Sequence, residues 1–149
     1  MTFTVVARCP KTKMLGVAMA THAPAVGNRC PVVIPRMAAA SVQSIADPRL
    51  PLLCTKLMGL GYHAGKIIHE LESSDPNAPL RQIGVVDAWG NAAAMTGSEN
   101  GAYAGHIIGD GWLVMGNGIV GPQVTEGMAA SMRASSDEVF EERLVRAVE

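Results

Sequence analysis

Aromatic side chains are scarce in this chain, with two each of Trp, Tyr and Phe among 149 residues. A core must therefore be filled by Val, Ile, Leu, Met and Ala, which lets neighbouring elements approach closely. An excess of charge of either sign is missing as well: 12 Lys and Arg stand against 13 Asp and Glu, spread along the chain. Without a basic patch there is no electrostatic footprint for a phosphate backbone or an anionic lipid surface, so neither nucleic acid nor membrane is an expected partner. No apolar run approaches the roughly 20 residues of a membrane span. The opening Met1-Thr2-Phe3-Thr4-Val5-Val6-Ala7-Arg8 lacks the charged start and apolar stretch of a signal peptide, and a cytoplasmic location is expected. Cysteine is limited to Cys9, Cys30 and Cys54, an odd number with no C-x-x-C spacing. That excludes a disulfide framework and a zinc ribbon, and points to reduced structural thiols. Repeats and linkers are absent too, so residues 1–149 are expected to form one domain.

What is present alternates between sheet and helix. Phe3–Ala7 reads as a strand with Thr2, Thr4 and Val6 on one face and Phe3, Val5 and Ala7 on the other. After the turn Cys9-Pro10-Lys11-Thr12-Lys13, Leu15–Thr21 resumes the extended pattern and should pair as a hairpin. Short strands follow at 32–34 and 37–42. Asp47-Pro48 predicts a helix start, and Leu50, Leu53, Leu57 and Leu60 form an apolar stripe ending at Gly59 and Gly61. Ala64, Ile67, Ile68 and Leu71 mark a second helix, closed by Ser73-Ser74-Asp75-Pro76. Strands return at 81–87, 91–96, 102–108 and 112–115. Beyond Asn117 the pattern turns helical, with Val120, Val124, Met128 and Met132 on one side, and a last helix is expected from a Ser135-x-x-Glu138 capping box. Groups of strands separated by helix pairs predict an α+β layering of antiparallel sheet.

Thr2 is the first candidate for chemistry. Removal of Met1 is expected when a small residue follows, and would leave a hydroxyl and a free amine on one residue at the tip of a strand. An α-amine has an ordinary pKa of about 7.7–8.0, so it can act as base toward its own hydroxyl; alternatively Thr2 is only the polar first residue of a strand. His22 and His106, at strand ends beside small residues, can shuttle protons or orient a carbonyl, or simply bond a backbone carbonyl. Gln43, Ser98, Glu99 and Asn117 are polar residues in small-residue surroundings, suited to holding a substrate or an oxyanion, or to capping turns. The histidines are too dispersed for a metal site. The run Gly105-His106-Ile107-Ile108-Gly109-Asp110-Gly111 has neither phosphate-loop nor Rossmann spacing, so no cofactor is expected.

Several of these segments together resemble a known family: Thr2–Arg8, Leu15–His22, Ala25-Val26-Gly27, Gln43, Arg81–Asp87, Met95-Thr96-Gly97, Ala104-Gly105-His106 and Gly116-Asn117. The chain is similar over essentially its whole length to the bacterial domain-of-unknown-function family number ten twenty-eight, placed by fold in the N-terminal nucleophile (Ntn) hydrolase superfamily. The resemblance implies a four-layer αββα sandwich of antiparallel sheets, with Thr2 at the position of the nucleophile and His22, Gln43, His106 and Asn117 as pocket residues. No lysine matches the pKa-lowering lysine of proteasome-type sites. Members of the family continue into a further glycine-rich turn and strand, so the sandwich is expected to be incomplete at its C-terminal end. A second chain or a homo-oligomer would then complete the sheet.

The function this implies is an Ntn-type amidohydrolase acting on a small-molecule amide, a peptide or another C–N bond. Thr2, His22, His106 and Asn117 would be catalytic, and Gln43, Ser98 and Glu99 would contact substrate. The alternative is a catalytically silent protein of the same fold that binds a ligand or serves assembly.

Overall fold

Alternation along single strands decides the architecture. In β1 (Thr2–Arg8), Val5 and Ala7 face one apolar cluster while Val6 faces another, so the strand is covered on both sides. The computed structural model describes residues 1–45 and 47–149. Its strands continue with β2 (Leu15–Thr21), β3 (Pro31–Ile34), β4 (Ala38–Ser44), β5 (Arg81–Asp87), β6 (Ala92–Thr96), β7 (Tyr103–Gly109) and β8 (Trp112–Ile119). They form two four-stranded sheets, ordered β2-β1-β8-β7 and β3-β4-β5-β6, with every pairing antiparallel.

Helices α1 (Arg49–Gly59) and α2 (Ala64–Ser74) cover the outer face of the second sheet, where Ala40, Val42, Ile83 and Val85 meet Cys54, Met58, Ile67 and Leu71. Helices α3 (Pro122–Ala134) and α4 (Phe140–Arg146) cover the first sheet, packing Met128, Met132, Phe140 and Leu144 on Val5, Trp112 and Val114. The inner faces of the two sheets pack on each other. Each buried aliphatic side chain in these layers contributes about 1.5–3 kcal/mol relative to exposure.

The space between the sheets is graded. At one end it is apolar, filled by Val6, Ala39, Val86, Leu113 and Met115. Gly84 permits this fit, because a Cβ there would lie 2.5 Å from a methyl of Leu113. At the other end the same faces carry Thr4, Ser41, Gln43, Gln82 and Asn117, all buried. All three cysteines are free and buried, and burial pushes the Cys54 thiol up to about 12, as a structural thiol requires.

Apart from shifts of one or two residues at strand ends, sequence and structure differ at four element ends. β8 extends through Asn117 to Ile119, because Thr2 and Tyr103 on the flanking strands pair with its last residues, and Val120 lies 83% exposed in the turn. Leu60 leaves the apolar stripe at the C-cap of α1, where the chain turns through Gly61 at φ +76°; Cys54 and Met58 take the buried face instead. The Asp47 carboxylate accepts from the Arg49 N–H, as a capping acid would, and Pro48 stands one position earlier than expected. The Ser135 capping box does not form: Ser135 Oγ donates to the Ser131 carbonyl at the end of α3, and Glu138 pairs with Arg146. No helix among the described residues is long and apolar enough to cross a membrane.

Candidate active site

The antiparallel register places Thr2 of β1 opposite Thr21 of β2 and Asn117 of β8, so all three side chains share the inner face of the first sheet. The His22 N–H donates to the Met1 carbonyl, around the Thr2–Thr21 pair rather than within it. This makes Thr2–Thr21 a pair of the closely spaced kind, and the two hydroxyls bond at 2.9 Å. The N–H and C=O of Thr2 are thereby turned toward β8.

A cavity of about 360 Å³ opens over this row. Gln43 and Ser44 of β4 line it from the second sheet, and the loop after β2 closes it with His22, Val26, Arg29 and Cys30. Its size lies in the range of small-molecule sites. Met1 sits at the rim, with its amine 2.9 Å from His22 Nδ1 and its carbonyl accepting from the Thr21 hydroxyl at 3.1 Å. His22 Nδ1 also lies 3.1 Å from that carbonyl, so one tautomer accepts from the amine and the other donates to the carbonyl.

Behind the cavity runs a buried polar network. Gln43 Oε1 accepts from the hydroxyls of Thr4 at 2.7 Å and Ser41 at 3.0 Å, and its Nε2 donates to Gln82 Oε1 at 2.9 Å. Asn117 Nδ2 donates to the same Gln82 oxygen at 3.0 Å. Gln82 Nε2 in turn is shared among the Thr96 hydroxyl and the carbonyls of Gly105 and Gly116. Thr96 Oγ1 accepts from Gln82 and lies 2.8 Å from His106 Nδ1, and with its proton and second lone pair it can either donate to that nitrogen or accept from it. Burial holds the His106 pKa below the ordinary value and so favours the neutral ring.

The structure thus brings Thr2, His22, Gln43 and Asn117 to one cavity. His106 and Ser98 open on a different one, of about 490 Å³, shared with Thr96, Asn100 and Tyr103. Gln82 bridges the two, bonded to Gln43 and Asn117 on one side and to Thr96 and the Gly105 carbonyl on the other. Glu99 is exposed and lines neither cavity. Gln43 is 1% exposed with both ends of its amide engaged, which makes it a strut of the cavity wall.

Sequence reasoning missed Gln82, Thr21, Thr96 and Arg29. Gln82 carried a signal: it is the inward polar residue of an otherwise apolar strand, and a buried amide needs partners on facing elements. Among the described residues no cluster of three His, Cys, Asp or Glu could hold a metal ion.

The comparisons with known proteins agree with one another. The chain is similar to the crystal structure of protein SPO2555 from Silicibacter pomeroyi, a DUF1028 protein, with a TM-score of 0.91 and 28% identity over 98% of this chain and 67% of that one. No curated protein matches it. The model of the family of unknown function DUF1028 matches residues 2–149. With its whole described fold shared with one member and its sequence matched from Thr2 to the last residue, the chain belongs to the DUF1028 family.

Proposed function

We propose that this protein is an amidohydrolase of the Ntn type, with Thr2 as nucleophile once Met1 is removed. The observation that carries this reading is the position of the Thr2 hydroxyl: it stands at the start of an inner-face strand, directly after Met1, in a cavity between two antiparallel sheets. The flanking helix pairs and the shared DUF1028 fold support it.

In the reaction, the freed amine takes the proton of the Thr2 hydroxyl as its oxygen attacks the amide carbon, and the carbonyl becomes an oxyanion. Asn117, which spends one amide N–H on Gln82, offers its second to that oxyanion. Collapse expels the amine, which takes the proton back from the Thr2 ammonium, and leaves an ester on Thr2. Water, deprotonated by the same amine, then adds to the ester carbon, and the ammonium returns that proton to the Thr2 oxygen as the acid leaves. His22, relieved of Met1, positions the substrate at the rim. Gln43 holds the wall, and His106 acts only through Gln82. Ser98 and Glu99 have no part in this reading.

A second reading, a catalytically silent binding or assembly protein, draws on one observation: Met1 is held at both its amine and its carbonyl. N-terminal sequencing and intact mass separate the two. The amidohydrolase reading expects loss of Met1, turnover within a panel of small amides, and a covalent adduct that disappears in Thr2→Ala. A retained Met1, an acetylated Thr2, or equal turnover by Thr2→Ala sinks it.

A further inference from the structure

Among the described residues Arg29 supplies the one permanently charged side chain of the Thr2 cavity, and no carboxylate lines it. It follows the short 3-10 turn Val26–Asn28 and is braced there, its N–H on the Val26 carbonyl and its Nη2 on the Pro24 carbonyl at 3.0 Å. The next residue ties the loop to the sheet, since the Cys30 carbonyl accepts from the Val42 N–H at 2.9 Å. One guanidinium N–H is thus held by a carbonyl of the same loop.

Arg29 takes part in none of the ion pairs among the described residues. Of its five N–H donors, the Pro24 carbonyl engages one. It also lines an adjoining cavity of about 260 Å³ walled by Val42, Pro48 and Pro51, whose acid is Asp47. That carboxylate is already engaged, bonded by both oxygens to Arg49 and lying 3.5 Å from Arg81. Asp47 therefore leaves the Arg29 charge available. The field of Arg29 reaches into the Thr2 cavity, where it opposes the upward push of burial on the Cys30 thiol.

We propose that the Thr2 cavity selects small amides bearing a carboxylate, which Arg29 binds through its fork of N–H groups. A planar guanidinium matches a planar carboxylate in two parallel bonds. Arg29 also lines the cavity walled by Val42, Pro48 and Pro51, whose apolar walls suit an aliphatic arm. This deepens the amidohydrolase reading and rests on it for the cleaved bond, but the anion preference can be measured without turnover.

The binding test compares succinamate with its neutral counterpart succinamide by heteronuclear NMR titration of the protein lacking Met1. Succinamate should bind and succinamide should not, and Arg29→Gln should weaken succinamate about 10- to 100-fold, the span expected for a hydrogen bond to a charged group. Arg29→Lys should lie between. Arg29 is exposed, and a thermal melt checks that each variant folds. Turnover adds a second arm: for amide pairs differing only in carboxylate against carboxamide, the preference for the carboxylate in kcat/KM should fall by the same factor in Arg29→Gln, mainly through KM. Equal binding of the two probes, or an unchanged preference in Arg29→Gln, overturns the proposal. Loss of turnover in Thr2→Ala with anion binding intact speaks to the nucleophile alone.

Discussion

Replacing Gln82 by Met would test whether the polar end of the inter-sheet layer is held by one amide. Gln82 is fully buried, and its Oε1 accepts from Gln43 and Asn117 while its Nε2 serves Thr96, Gly105 and Gly116. Methionine nearly matches glutamine in volume and can make none of these bonds well. Two N–H groups shared among three acceptors, together with two accepted bonds, amount to about four bonds at a net ~1 kcal/mol each, so roughly 4 kcal/mol should be lost. That is a large part of a typical 5–15 kcal/mol stability, and corresponds to about 8–16 °C in Tm for a chain of this size. Urea unfolding followed by circular dichroism reads the shift in midpoint. Ile83→Val, one residue away and also buried, is the packing control, at about 0.5–1.5 kcal/mol. Gln82 and Gln43 share a bond, so Gln82→Met and Gln43→Leu should be non-additive by at least ~0.5 kcal/mol. A Gln82→Met loss no greater than that of Ile83→Val, or strict additivity with Gln43→Leu, would refute the network as a structural unit.

Asp75 and Arg81 form a buried pair at 2.7 Å, and the Arg81 hydrogen bond holds the Asp75 carboxyl below its ordinary pKa. The stability this contributes is present above the unfolded pKa of about 3.9 and is lost as pH falls through the lower folded value; Asp75→Asn should weaken the protein at neutral pH by less than the roughly 3–5 kcal/mol of a buried charge left wholly unpaired, because Asp47 still lies 3.5 Å from Arg81, and should flatten its acid unfolding curve below pH 4. For His106, nitrogen NMR should find the ring neutral at pH 7 and titrating below the ordinary value of about 6.5. Its contribution to stability is therefore lost as pH falls from about 6.5 through the folded pKa, and a ring that titrates at or above about 6.5 would contradict its burial.

Strand and helix positions were legible because they follow from local periodicity. Val5 and Ala7 face the helices and Val6 the other sheet because successive side chains in a strand point opposite ways. The stripe Ala64, Ile67, Ile68, Leu71 is buried as a 3.6-residue repeat demands. Element ends were less legible: Ser135 and Leu60 each satisfied a local rule, but neighbouring chain decided between helix end, helix start and exposure. Local order also determined that a threonine follows Met1 on the first strand.

Which side chains Thr2 would meet was decided only by the tertiary structure. Thr21, Asn117 and Gln43 lie far from Thr2 in the chain and arrive beside it through strand register and sheet stacking. His106 looked equivalent to His22 as a strand-end histidine, yet the β7–β8 pairing sets it opposite Met115, over a separate cavity. Periodicity tells a residue which face it occupies. Which other face it meets depends on contacts between strands distant in sequence, and no local pattern encodes those.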